Sequence, residues 1–227
     1  VKSVGKITVD LRYFLGYIVG MLQYAPSSRI MIKDLKHRLK NHRPFVPPLE
    51  GVGFEYGFNA LQLEPWLNYW SDKYNFTARE NFLNQFPQYK TNIQGLDVHF
   101  IRVKPKVVPL LLMHGWPGSI REFYEAIPLL TKQTLGYNFV FEVIAPSMPG
   151  YGFSEVTVRP GLGVLQISVI YRNLMNRLGH KRYYLQGGDA GAAIAAAMST
   201  LFPEDILGHH SNLLMSQVRR DYNYFLI

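Results

Sequence analysis

The stretch YYLQGGDAGAAIAAAM, residues 183–198, decides how the chain folds. An apolar run ends in two glycines, a single aspartate follows, and a segment of small helix-forming residues begins directly after it. A turn from a buried strand into a helix admits only small residues two positions before and after its centre, and Gly187 and Gly191 meet that need around Asp189. Because a helix N-terminus favours negative charge, we expect Asp189 to be an ionised nucleophile. The alternative is an ordinary tight turn, in which Gly and Asp are common.

The sequence around this stretch predicts an α/β fold. Residues 107–113 and 139–145 are continuous apolar runs, which suit parallel strands buried on both faces. Apolar residues at helical spacing, ended by Gly179, predict a helix between the second and third runs; they are Ile167, Ile170, Tyr171, Leu174 and Leu178. The alternation of strands and helices predicts a doubly wound, mostly parallel sheet over residues 107–227.

A region of helices and one hairpin precedes the sheet, over residues 31–106. Apolar and basic residues alternate at helical spacing in residues 32–39, and Leu63, Trp66, Leu67 and Trp70 predict a second helix. Residues 77–80 (TARE) and 119–122 (SIRE) each have the pattern of a capping box, which predicts a helix start. The alternation in residues 96–100, after the turn Gln94-Gly95, predicts a hairpin with residues 90–93.

A second motif, HGWPGS at residues 114–119, follows the run that ends at Met113. An α/β hydrolase places its second oxyanion-hole donor in this loop, so we expect the backbone N–H groups of Trp116 and Ala190 to point together at Asp189. His114, Gly115 and Pro117 complete the motif loop. The alternative is that His114 is a core histidine bonded to the backbone and Trp116 a core aromatic.

A third loop, APSMPGYGFS at residues 145–154, follows the next strand at the same sheet edge, where open α/β folds bind ligands; for its individual residues we favour a turn without chemistry. Together with HGWPGS and QGGDAG it resembles the epoxide hydrolases. Residues 47–59 (PPLEGVGFEYGFN) and 84–100 (NQFPQYKTNIQGLDVHF) are similar to the branch of microsomal and insect juvenile hormone epoxide hydrolases. The similarity is collinear from about residue 31 to residue 212, and it implies an α/β-hydrolase fold.

The resemblance implies a two-step mechanism without metal or organic cofactor. The Asp189 carboxylate attacks a carbon of a small lipophilic epoxide, such as a juvenile-hormone-like terpenoid, and water hydrolyses the resulting ester to a diol. In the family, two lid tyrosines protonate the ring oxygen, and a late histidine with an acidic partner activates the water. The neighbour of the nucleophile in relatives is usually tryptophan, so Ala190 removes an apolar wall and puts the substrate's shape in doubt.

Nothing after Asp189 matches the lid tyrosines, the histidine or its acid. Ile227 lies 38 residues beyond Asp189, so we expect a C-terminally truncated member, without lid or last strands, that does not turn over alone. Tyr222 and Tyr224 match no motif. His209 and His210 close a strand-like segment, and we hold a substitute base there to be the minor alternative. A non-catalytic interaction protein is the alternative function.

Composition and charge limit the binding partners and the cellular location that the sequence predicts. The net charge of +8 is concentrated before residue 51, with nine basic against three acidic residues, so nucleic-acid binding is not expected. Cysteine is absent, which excludes disulfides. Within the basic and apolar leader, residues 1–30, the stretch 13–25 is shorter than the roughly 20 residues that span a bilayer. It is a signal-peptide core, an interfacial helix, a shortened anchor or an apolar arm on the domain. The resemblance implies the endoplasmic-reticulum membrane, and the oligomeric state stays open.

Overall fold

A computed structural model describes residues 29–103 and 108–213, together with the backbone of residues 8–9 and 20–22. Most of the leader, Tyr222 and Tyr224 lie outside the described residues. The chain divides into two compact units, one formed chiefly by residues 24–85 and the other by residues 6–23 and 86–227.

The first unit is helical. Its helices are α1 (Arg29–Lys40), α2 (Leu63–Asp72), which follows a 3-10 turn at Ala60–Gln62, and α3 (Phe76–Leu83). Asp72 of α2 pairs with Lys40 at the end of α1, with 3.0 Å between carboxylate oxygen and ammonium nitrogen. The helices predicted at residues 32–39 and from Leu63 onward are therefore present.

The capping box predicted at residues 77–80 is wrong. The helix predicted to start there is present as α3, but its N-cap is Asn75, whose side-chain oxygen accepts a hydrogen bond of 2.9 Å from the N–H of Ala78. Thr77 therefore lies inside the helix. Asn is as strong an N-cap residue as Thr, and here it takes the cap position two residues upstream.

The second unit is built on one mixed sheet. Its strands are β1 (Thr8–Val9), β2 (Gly20–Leu22), β3 (Gln88–Ile93), β4 (Leu96–Val103), β5 (Val108–Met113), β6 (Phe141–Pro146), β7 (Tyr183–Gly187) and β8 (Ile206–Ser211). The spatial order is β1-β2-β3-β4-β6-β5-β7-β8. Strands β6, β5, β7 and β8 are mutually parallel, and β1 to β4 extend the sheet as antiparallel strands. This is the α/β-hydrolase arrangement that the sequence predicts.

The predicted hairpin is β3–β4, and its turn residues Gln94 and Gly95 both have positive φ, of 51° and 87°. Positive φ at both central positions gives the turn that matches the twist of the two strands. Strand β4 then pairs with β6, so the hairpin, which we assigned to the region 31–106, is hydrogen-bonded to the parallel strands.

Helices cover the parallel strands. They are α4 (Ala126–Thr131), α5 (Val164–Arg177) and α6 (Ala190–Leu201). Leu111 and Met113 of β5 belong to the core cluster that also contains Leu174 of α5 and Ile194 of α6. Since side chains alternate along a strand, the buried Leu112 faces the other side. Strand β5 is thus buried on both faces, and its end is fixed in the interior.

Candidate active site

Four parallel strands end at one edge of the sheet, and three of the loops that leave them form the candidate site. The turn after β7 carries Asp189, the HGWPGS loop follows β5, and Asn212 follows β8. In a sheet of this kind the carboxyl ends of the strands are where ligands bind.

Asp189 occupies a strained turn between β7 and α6. Its φ is 50° and its ψ is −125°, a conformation that L-residues rarely adopt. A side chain at Gly187 would meet the backbone oxygen of Gly191, and a side chain at Gly191 would meet the carbonyl oxygen of Met113. The two glycines therefore let α6 approach both β7 and the end of β5, which brings Asp189 beside the HGWPGS loop.

The carboxylate of Asp189 faces the backbone of that loop. The Trp116 N–H donates a hydrogen bond of 2.8 Å to Asp189 Oδ1. This bond, and a second from the N–H of Ala190, hold the pKa of the Asp189 carboxyl below its ordinary value. The side chain is exposed. The three groups that we expected to converge are thus together, and the carboxylate is ionised and accessible.

The side chains of the HGWPGS loop have separate surroundings. His114 is 1 % exposed and accepts a hydrogen bond of 3.0 Å from the Met148 N–H at Nε2. Trp116 is 71 % exposed, so it is not a core aromatic, and the peptide bond from Trp116 to Pro117 is cis. A side chain at Gly115 would come within 2.5 Å of the Asp189 side chain. The loop therefore contributes its backbone to the site, and His114 lies beneath it as a buried histidine bonded to backbone.

The third loop, residues 145–154, is bound to the hairpin. Buried His99 of β4 pairs through Nδ1 with Ser147 Oγ and through Nε2 with Gln88 Oε1, each at 3.0 Å. The hydroxyl of Ser154 accepts a hydrogen bond of 2.9 Å from the His99 N–H. Burial lowers the pKa of His99 to about 3, so its ring is neutral at physiological pH. This loop supports the site and contributes no side chain to its cavity.

An open cavity of about 500 Å³ lies over Asp189. Its lining residues are Gly115, Trp116, Pro117, Gly118, Glu122, Phe123, Gln186, Gly188, Asp189 and Asn212. Such a volume suits a small organic molecule. The site therefore combines an ionised carboxylate with room for a substrate beside it.

Three polar residues of this cavity, Glu122, Gln186 and Asn212, were missed by the sequence analysis. The helix start predicted at Ser119 is present, because its Oγ accepts from the Arg121 N–H and caps the 3-10 turn Ile120–Phe123. The capping box itself is wrong, since Glu122 lines the cavity instead. Burial and the negative charge of Asp189 raise the pKa of the Glu122 carboxyl. Asn212 directly follows β8, and finding it would have required the order of the strands in the sheet, which no local pattern shows.

The structure does not bring the two candidate substitute bases into the cavity. His209 is on β8 and has Ser199 Oγ of α6 3.4 Å from its Nδ1. Neither it nor His210 is among the cavity-lining residues. In the part of the chain that the structure describes, no cluster of side chains is suited to hold a metal ion.

Family models and individual proteins match this chain. Residues 25–123 match the family described as epoxide hydrolase N terminus, and residues 108–212 match the alpha/beta hydrolase fold. The chain is 59 % identical to juvenile hormone epoxide hydrolase of Bombyx mori over 195 residues, which are 83 % of this chain and 42 % of that protein. It is 42 % identical to epoxide hydrolase 1 of Oryctolagus cuniculus over 206 residues, 86 % of this chain and 45 % of the relative.

A solved structure gives the same assignment. The crystal structure of the Bombyx mori juvenile hormone epoxide hydrolase superposes with a TM-score of 0.83 at 57 % identity, covering 87 % of this chain and 53 % of that one. The chain thus spans about half the length of the relatives that it matches. Both family models, the identity and the shared fold show that the chain belongs to the epoxide hydrolase family, in the branch of the juvenile hormone epoxide hydrolases and epoxide hydrolase 1.

Proposed function

We propose that this protein hydrolyses a lipophilic epoxide to a diol through an ester at Asp189. The observation that carries the proposal is the Asp189 carboxylate, held at a strained turn with Oδ1 2.8 Å from the Trp116 N–H and open to the cavity. The carboxylate is exposed, so that an oxygen of it can attack an epoxide carbon in the cavity. Relatives at 59 % and 56 % identity are named juvenile hormone epoxide hydrolases, which supports juvenile hormone as the substrate.

The first step forms one bond and breaks another. A carboxylate oxygen of Asp189 bonds to an epoxide carbon, the carbon–oxygen bond of the ring breaks, and the ring oxygen takes a proton from solvent water to become a hydroxyl. In the second step water adds to the carboxyl carbon of the ester. The negative charge that develops on the carbonyl oxygen then lies at the N–H groups of Trp116 and Ala190, which stabilise it. Expulsion of the alkoxide, with the proton from water, releases the diol.

Among the described residues, the site has the attacking carboxylate and the two N–H donors, but no tyrosine lines the cavity to protonate the ring oxygen. Of the residues that line the cavity, none is a histidine, so the part of the chain seen here presents no imidazole to activate water. An ester formed at Asp189 should therefore persist. This makes the covalent intermediate itself the measurable product.

The first test is intact-mass analysis of the 227-residue chain after incubation with juvenile hormone or with a simple aryl epoxide such as styrene oxide. We expect one stable adduct per chain and no sustained diol production, with the adduct mapped to Asp189. Steady diol production by this chain would contradict the expected persistence of the ester.

The control is Asp189→Asn, since Asn tolerates positive φ as Asp does but is not a nucleophile. We expect the adduct to disappear in this variant. An adduct formed equally by D189N would place the reaction at another carboxylate and overturn the proposal. If the wild-type protein forms no adduct, the result would favour the alternative function, a non-catalytic interaction protein.

We also propose that the leader associates with the endoplasmic-reticulum membrane. Residues 13–25 are apolar and are flanked by basic residues on both sides, a pattern that favours an anionic membrane surface. No helix among the described residues has the length and apolar character to cross a bilayer. The described residues Gly20–Leu22 of this stretch pair with β3. We expect the chain to sediment with anionic vesicles and to be released from them by high salt. If the chain stays in the supernatant, the stretch is better interpreted as an apolar arm that packs on the domain.

A further inference from the structure

His114 has a partner at each ring nitrogen although it lies outside the cavity. Its Nε2 is 3.0 Å from the backbone nitrogen of Met148, and its Nδ1 is 3.1 Å from the carbonyl oxygen of Gly115. Because a backbone N–H only donates, Nε2 must accept, and the ring proton is on Nδ1, where it donates to the Gly115 carbonyl. Burial, although opposed by the hydrogen bond to Gly115, lowers the pKa of His114, in keeping with a neutral ring.

The Gly115 carbonyl and the Trp116 N–H belong to the same peptide group. The chain is trans at this bond, the cis bond being the next one, so the carbonyl and the N–H point in opposite directions in one plane. The N–H end of this group contacts Asp189 Oδ1 at 2.8 Å. Fixing the carbonyl end therefore fixes the direction in which the N–H points.

Little else restrains this peptide group. A Cβ at residue 115 would collide with Asp189, so only glycine fits there. Because glycine has no side chain, its own backbone dihedrals do not fix the orientation of the peptide group. The side chain of Trp116 is 71 % exposed and does not anchor the loop in the core. The ring of His114, by contrast, is almost completely buried between the loops that follow β5 and β6.

We propose that His114 is a positioning residue, whose Nδ1–H holds the Gly115 carbonyl so that the Trp116 N–H points at the nucleophile. Its Nε2 has the separate role of tying the HGWPGS loop to Met148. That Met148 loop is in turn fixed to β4, since the Ser147 N–H donates to the His99 carbonyl at 2.9 Å. The catalytic meaning of this arrangement rests on the proposed function, but the arrangement itself can be tested without it.

Two substitutions separate the roles of the two nitrogens. In His114→Asn the side-chain amide reaches the place of Nδ1 and can still donate to the Gly115 carbonyl. In His114→Gln the amide reaches the place of Nε2 and can still accept from Met148. If His114 were merely structural, H114N and H114Q would affect the Trp116 N–H to about the same extent. The positioning role predicts that only H114N retains the direction of the Trp116 N–H.

The readout is an NMR titration of wild type and both variants between about pH 2.5 and 6. It follows the Asp189 carboxyl carbon and the Trp116 amide proton, since the hydrogen bond from Trp116 is the largest cause of the lowered pKa of Asp189. In wild type and H114N we expect the pKa of Asp189 to be lowered. We also expect the chemical shift of the Trp116 amide proton to change with pH at that same pKa. In H114Q we expect the Asp189 pKa to move toward its ordinary value of 3.8 and the amide to lose this dependence.

The tautomer of His114 provides a test that needs no variant, in case H114Q fails to fold. Ring nitrogen shifts of the wild-type protein should show a neutral imidazole protonated at Nδ1. A ring protonated at Nε2, or an Asp189 titration in folded H114Q equal to that of wild type, would overturn the proposal. The proposal would also be overturned if the Asp189 pKa moved toward its ordinary value in H114N as far as in H114Q.

The epoxide adduct links this residue to the chemistry. Decay of the adduct in alkaline buffer should be roughly tenfold to a hundredfold slower in H114Q than in H114N, because one oxyanion donor is misdirected. If wild type forms no adduct, the proposed function fails while the titration still tests His114. If the adduct forms and decays equally in both variants, the positioning role fails and the proposed function stands.

Discussion

The helical unit of residues 24–85 and the sheet unit differ in what stabilises them. Among the described residues, every buried hydrophobic side chain lies between Ile93 and Met198, in the sheet unit. Among residues 29–85 of the helical unit, Ser71 alone is buried, and Trp66 of α2 is 64 % exposed. The helices there have a side-chain cap on α3 and exposed ion pairs, each of which contributes about 1 kcal/mol or less. The Asp189 carboxylate is thus carried by the unit that has the buried hydrophobic core.

The largest expected effect is that of Gly191→Ala in the sheet unit. Its Cβ would meet the carbonyl oxygen of Met113, so α6 or β5 must move. We expect a loss of roughly 4 kcal/mol in the free energy of unfolding, as for the severest overpacking, measured by urea unfolding.

The matched control for this substitution is Gly53→Ala in the helical unit. There the nearest atom to a Cβ is Glu55 Oε2 at 3.5 Å, an ordinary contact. We expect a change of less than about 0.5 kcal/mol. Equal losses for G191A and G53A would break the contrast between the two units.

A smaller effect is expected for Glu142→Gln. Burial raises the pKa of Glu142, but hydrogen bonds from His180 and Arg102 and the charge of Arg102 outweigh it and lower the pKa to about 2. The separation between Glu142 Oε1 and Arg102 Nε is 2.6 Å, with both side chains largely buried. Removing the carboxylate charge should cost on the order of 3 kcal/mol at pH 7.

The pH dependence of this loss has a definite sign. A carboxyl whose folded pKa lies below its ordinary value of 4.5 stabilises the folded state above that value, and the contribution is lost as pH falls from about 4.5 toward 2. The difference in free energy of unfolding between wild type and E142Q should therefore shrink over that range.

Asp34→Asn in the helical unit removes an exposed ion pair with Arg38 and should change the free energy of unfolding by about 0.5 kcal/mol at most. A D34N loss as large as that of E142Q would contradict the comparison.

The same contrast explains what the sequence could predict. Parallel strands are buried on both faces, so β5, β6 and β7 appear in the sequence as largely apolar runs, although β6 contains Glu142. The turn at Asp189 was predictable because its steric demands fall on residues adjacent in sequence. The side-chain direction of Glu122 was not, since a local capping pattern and the cavity compete for the same carboxylate and only the tertiary structure decides between them.

Loop side chains from distant segments were the least predictable part of the site. Asn212 reaches the cavity because β8 is parallel to β7 and ends beside it, a fact of sheet order that no local pattern carries. At α3, Asn75 and Thr77 are both good N-cap residues two positions apart, and propensity alone does not choose between them. In each case the missing information is which atoms lie nearby in space.

The close backbone contact at Gly187 and Gly191 has a consequence for mutational tolerance. In a library that varies each position singly, these two sites should accept only glycine, although neither lines the cavity. Their intolerance would have a steric origin, and a survey based on loss of activity would not distinguish it from a role in the reaction. The geometry that presents the nucleophile therefore restricts the protein's mutational freedom as strictly as the nucleophile itself.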